Sequence, residues 1–199
     1  MKVQYLGHAG FEFVSGGKTI LIDPFFKGTG TKYAGRPDLI LVTHEHFDHG
    51  EDAKAYDCTV VAPDTCKYKK QVVMGVGDRK NVDGVDIEMI GASHHQSKYP
   101  AGYIVGLEGK RVAHLGDTYI DGVKPLADID LLLVPIGGFY TMNIDEAMEA
   151  VSRIKPKLVV PMHYGTFDQI KADPNEFARK AEKAGFKVKV LKVYEKIEI

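Results

Sequence analysis

The chain has 199 residues, 44% of them hydrophobic, enough to bury a core in one large domain or two small ones. Its 26 basic and 27 acidic residues leave a formal net charge of −1, so bulk charge argues against nucleic acid or a membrane surface as partner. The opening MKVQYLGHAGFEFV has no continuous apolar stretch and no transmembrane run follows, which predicts a cytoplasmic protein with Cys58 and Cys66 as free thiols.

In chain order, residues 2–6 (KVQYL), 10–14 (GFEFV) and 18–23 (KTILID) are short β-type runs divided by turns. Residues 38–43 (DLILVT) and 59–63 (TVVAP) are apolar runs of the buried-strand type. Short helices are expected over 50–57 (GEDAKAYD) and 64–71 (DTCKYKKQ). Strand character resumes at 85–92, and 102–117 (GYIVGLEGKRVAHLGD) reads as a hairpin about a Glu-Gly turn. Residues 130–137 (DLLLVPIG) and 157–163 (KLVVPMH) are further strands.

Two helices are clear. Over 143–155, Ile144, Ala147, Met148, Val151 and Ile154 share one face and Asn143 is the N-cap. Over 173–185, an Asp-Pro start and a Gly stop bound the second. Residues 187–199 (KVKVLKVYEKIEI) alternate as a closing strand. No low-complexity linker intervenes, so residues 1–199 are expected to form a single domain, with two packed sheets and helices outside.

Several apolar runs end in a residue able to bind metal. LILVT leads to His44, IEMIGAS to His94 and His95, RVAHLG to Asp117, and LVVPM to His163. Buried strands ending at a common rim would bring these groups together. His44 and His46 leave an extended stretch on the same side, with Asp48 and His49 just beyond. Four such donors within six residues crowd one small ion but can serve two. Nitrogen plus carboxylate oxygen suits zinc, manganese or iron. A solvated polar loop is the competing explanation, disfavoured because converging, desolvated histidines and acids are costly without compensation.

THEHFDH, at 43–49, resembles the His-x-His-x-Asp-His signature of the metallo-β-lactamase superfamily. IDPF near the start, GDT at 116–118 and PMHYGT at 161–166 resemble its other motifs in order. YLGHA, GDT and the PIGG segment are most similar to its small UlaG-like branch of metal-dependent hydrolases. The resemblance implies an α/β, four-layer αββα sandwich with metals at one edge. It assigns one divalent ion to His44, His46 and a third histidine, a second to Asp48, His49 and His163, and a bridging role to Asp117. Only one of His94 and His95 should point inward from a strand, and the family pattern of a small residue two places before the ligand, here Ala92, favours His94. Zn²⁺ or Mn²⁺ is the expected pair, with iron or nickel also compatible. The expected function is hydrolysis of a small, anionic ester, lactone or phosphodiester, by a hydroxide held between the ions. Asp48 would orient that nucleophile and move a proton. The branch resemblance also allows a homo-oligomer.

Asp23 is expected to accept a hydrogen bond from a ligand histidine, rather than only to begin a turn before Pro24. His8 faces the metal edge or caps a turn, and His114 is expected to be packed rather than ligating. Tyr140 reads as an ordinary rim residue, while Tyr164 could equally donate to an oxyanion. Specificity is expected from residues 25–37 and from Phe139 to Met142. Two other functions compete: a non-hydrolytic sensor, marked by metal affinity without turnover, and a mononuclear iron redox enzyme, marked by iron-dependent oxygen uptake.

Overall fold

The computed structural model describes residues 1–199 and contains two mixed sheets, formed one after the other along the chain. In the first, β1 (Lys2–Gly7), β2 (Gly10–Ser15), β3 (Lys18–Ile22), β4 (Leu39–Leu41), β5 (Thr59–Ala62) and β6 (Gln71–Val73) lie side by side in sequence order. The β1–β2 and β2–β3 pairs are antiparallel, and β3 to β6 are parallel. The second sheet repeats this succession with β7 (Arg79–Val82), β8 (Val85–Gly91), β9 (Ala101–Leu107), β10 (Lys110–His114), β11 (Leu131–Pro135) and β12 (Leu158–Met162). It is antiparallel up to β10 and parallel from there to β12. Finally, β13 (Lys196–Glu198) returns to pair with β1.

The strands alternate their side chains between two cores. Ile20, Ile22, Leu39, Leu41 and Val61 of the first sheet meet Ile87, Tyr103, Val105, Leu131 and Val160 of the second in a 23-residue inner core. The other faces are also covered, which is why the central strands read as unbroken apolar runs. Leu21, Ile40 and Val60 pack outward beside two single-turn helices, α1 (Phe26–Thr29) and α2 (Phe47–Gly50), and a 3₁₀ turn at Asp52–Ala55. Leu132, Val134 and Val159 pack beneath α3 (Ile144–Ile154) and α4 (Pro174–Lys183). The result is an α/β sandwich whose first outer layer is made of short turns instead of long helices.

Three expectations change. The helix expected over 50–57 is the end of α2 followed by the 3₁₀ turn. Residues 64–71 form no helix, because Cys66 is drawn into the outer core and the Tyr68 amide bonds the Gln71 side chain at 3.0 Å. The strand expected over 187–199 pairs only at Lys196–Glu198, with one bridge from Val188 to Val159. A turn breaks it where Tyr194 takes φ +67° and the Glu195 amide bonds the Lys192 carbonyl.

Candidate metal centre

The segments after six strands meet at one edge of the sandwich. His8 follows β1, Asp23 follows β3, His44 follows β4, His94 follows β8, Asp117 follows β10 and His163 follows β12. His46 sits at the N-cap of α2, and Asp48 and His49 lie in its only turn. The candidate ligand atoms fall into two quartets, His44, His46, His94 and Asp117, and His8, Asp48, His49 and His163. Within each quartet they lie no more than 4.8 Å apart. All seven residues named from the sequence as ligands are therefore in one place, and His8 joins them.

Asp117 stands between the quartets. Its Oδ2 is 3.1 Å from His163 Nε2 and 3.4 Å from His49 Nε2 on one side. On the other it is 3.9 Å from His94 Nε2 and 4.0 Å from His44 Nε2. His94 is buried, whereas the exposed His95 ring stacks on Tyr119 at 5.1 Å. His114 is buried too, but both its nitrogens are engaged, with the Ala9 carbonyl and the Gly116 amide.

Partners outside the quartets assign the imidazole tautomers. Asp23 is fully buried and accepts from the Thr43 amide, the Thr43 hydroxyl and His49 Nδ1 at 2.7–2.8 Å. Because the Thr43 hydroxyl donates to Asp23, its oxygen accepts from His44 Nδ1 at 3.0 Å. His94 Nδ1 donates to the Tyr140 carbonyl, and His46 Nε2 to the Gln96 carbonyl. The lone pairs of His44, His49 and His94 at Nε2, and of His46 at Nδ1, are thereby left facing the cluster.

Burial pushes His44 and His94 below the ordinary histidine range, as a neutral ligand requires. Burial also opposes a charge on His49, but Asp117 and Asp23 on either side overcome it and raise His49 well above. Asp117 is driven the other way: burial favours its neutral form, but His163 and His49 outweigh that and hold it well below the carboxylate range. These carboxylates thus create a field that a proton or a metal cation can satisfy. Of the seven buried side-chain atoms that make no hydrogen bond, four cluster here: Asp117 Oδ1, His49 Nε2 and both ring nitrogens of His163. Orphaned buried atoms of this kind are rare, and all four are of metal-ligand type, so the residues present fit divalent ions.

The edge opens into a cavity of about 320 Å³. Its wall includes Phe47, Phe167, Tyr140, Gln96 and Gln169 beside the quartets, with no lysine or arginine. Tyr140 therefore faces the cavity, while Tyr164 packs into the outer core. The 25–37 segment supplies no lining residue. Its Phe26 and Tyr33 stack on each other, and the Tyr33 hydroxyl donates to Glu12. Only Phe25 approaches, against Phe47 and His8. Gln96 and Gln169 carry no pattern in the sequence that marks them, and Thr166 is marked only as the last residue of PMHYGT.

The sequence model of a β-lactamase superfamily domain matches residues 2–163. A UPF0173 metal-dependent hydrolase of Pyrococcus abyssi is 42% identical over the full length of both chains. One of Thermoplasma volcanium is 35% identical, over 100% of this chain and 99% of its own. Among solved structures, Igni18, described as a metallo hydrolase from Ignicoccus hospitalis, superposes with a TM-score of 0.88 and 33% identity, covering 100% of this chain and 98% of that one. The chain belongs to the β-lactamase superfamily and, within it, to the UPF0173 metal-dependent hydrolases.

Proposed function

We propose that this metal-dependent hydrolase works with two divalent ions, one in each quartet, on a small ester, lactone or phosphodiester. The observation that carries the reading is Asp117, whose one carboxylate oxygen lies within 4.0 Å of two imidazole nitrogens from each quartet. A carboxylate so situated can serve two ions at once. The ligand set is His44, His46 and His94 for one ion, and Asp48, His49 and His163 for the other. These nitrogen and oxygen donors suit Zn²⁺ or Mn²⁺, and also accept iron or nickel.

When bound, the ions supply an activated water and polarise the substrate oxygen. The chain supplies the rest. Asp48 is half-buried and lines the cavity, where it can orient the attacking group and carry its proton to the leaving group. Phe47, Phe167 and Tyr140 offer apolar surface to the substrate body, and Gln96 and Gln169 offer neutral amides. With no lysine or arginine on the wall, nothing but the ions would balance a highly charged substrate. That composition ranks small esters and lactones ahead of phosphodiesters.

The test is turnover by metal-reconstituted protein on a lactone and aryl-ester panel and on a simple phosphodiester, with bound metal counted. Ester or lactone hydrolysis should exceed phosphodiester hydrolysis, and Asp48→Asn should lower kcat/KM by about 10²–10⁴-fold. Two bound ions without turnover of any of these would sink the reading.

A further inference from the structure

His8 is held in a backbone conformation that His163 also adopts. It lies in the two-residue turn between β1 and β2, with φ +57°, a left-handed conformation more usual for glycine or asparagine. Its backbone is clamped there, since its carbonyl accepts from the Tyr5 hydroxyl at 3.1 Å and the His163 amide at 2.8 Å. Its ring is buried against His163, 4.2 Å between centroids, and packs edge-on to Phe25 and Phe167. A strained backbone held this firmly suggests that the side chain has a task.

The ring has two polar contacts. Nε2 lies 3.2 Å from Asp48 Oδ2, and Nδ1 lies 3.1 Å from Thr166 Oγ1. As a metal-binding carboxylate, Asp48 is deprotonated. It can only accept, so Nε2 carries the proton. Nδ1 then holds a lone pair, and the Thr166 hydroxyl donates to it. With its Nε2 proton directed at Asp48, His8 supports that carboxylate and leaves the ion to Asp48, His49 and His163. We infer that Thr166 and His8 form a relay that positions the Asp48 carboxylate, with His8 as a positioning residue for the ion that Asp48 binds.

This rests on the two-ion reading, and its test separates the two. Metal-depleted full-length protein is titrated with Zn²⁺ against a chromophoric chelator, and its unfolding midpoint is measured alongside. Asp48→Asn identifies the ion that depends on Asp48. His8→Asn, whose amide falls near Nδ1 and cannot reach Asp48, should weaken that ion by roughly 10–100-fold and leave the other unchanged. His8→Gln, whose amide falls near Nε2, should recover most of the affinity. Thr166→Val should weaken the same ion less, and Thr166→Ser should restore it, which decides the matter even if His8→Asn fails to fold.

Equal affinities in His8→Asn and His8→Gln, or a loss that only follows a lower unfolding midpoint of the metal-free protein, would overturn the inference. If Asp48→Asn weakens one ion while His8→Asn and Thr166→Val leave it at the wild-type value, this inference alone fails. If Asp48→Asn changes neither ion, the ligand assignment fails and takes this one with it.

Discussion

Asp23 does not line the cavity, yet three hydrogen bonds end on its carboxylate. Asp23→Ala would strand the Thr43 amide, the Thr43 hydroxyl and His49 Nδ1 in a fully buried place. Removing one side of a buried charged network costs about 3–5 kcal/mol, so a denaturant titration of the metal-free variant should show a loss of that order. A loss below about 1 kcal/mol would mean that the network carries little of the stability. Cys66 gives a second prediction, at a residue outside both quartets. Burial, helped by the charges of Glu45 and Asp23, raises its thiol to about 12, which leaves a thiolate fraction of ~10⁻⁴ at pH 8. Alkylation at pH 8 should therefore spare Cys66 in the native protein and reach it once denaturant is added; full labelling of the native thiol would contradict this. At this scale the ligand types were legible wherever they cluster in sequence, as at His44, His46, Asp48 and His49. Strand alternation allowed only one of His94 and His95 to point inward, and the family pattern of a small residue two places earlier chose His94. His8 was left between the metal edge and a turn cap, because its contacts depend on a left-handed turn and on partners 40 and 158 residues away.

The elements themselves were legible where they bury a face. Helix α3 shows this, with Ala147, Ala150, Val151 and Ile154 buried, and its start is fixed by a capping box. The Asn143 side chain accepts from the Asp145 and Glu146 amides, and Glu146 reaches back to the Asn143 amide. Asn143→Ala should cost about 1 kcal/mol in thermal or chemical unfolding, and Asn143→Asp much less, because aspartate also caps. Equal destabilisation by both would show that the cap matters little. What the pattern did not reveal were segments too short to be helical on their own terms. Between β5 and β6 the chain has eight residues, 63–70, in which to turn, bury Cys66 and reach the next strand. A single helical turn without tertiary support is marginal, so packing decided that segment and propensity did not. Likewise, alternation over 187–199 predicted a strand, but a positive φ at Tyr194 lies outside anything that hydropathy records.

The molecule as a whole is two sheets that meet at the metal edge, and each quartet takes donors from both. His44 and His46 come from the first sheet while His94 and Asp117 come from the second; Asp48 and His49 come from the first and His163 from the second. Ions that bind only the folded chain stabilise it by about 2.7 kcal/mol each at a hundredfold excess over Kd. For a chain of this size that raises Tm by about 5–10 °C per ion, so calorimetry with and without chelator should resolve the shift. An unchanged midpoint after complete metal removal would contradict this account of the edge. The division of donors also has a consequence for assembly. The sheets follow each other in sequence, and between β6 and β7 only residues 74–78 connect them. A chain cut there into two fragments would leave neither with a complete quartet. Tight metal capture would then appear only as the halves found each other, and the ion itself would report their reunion.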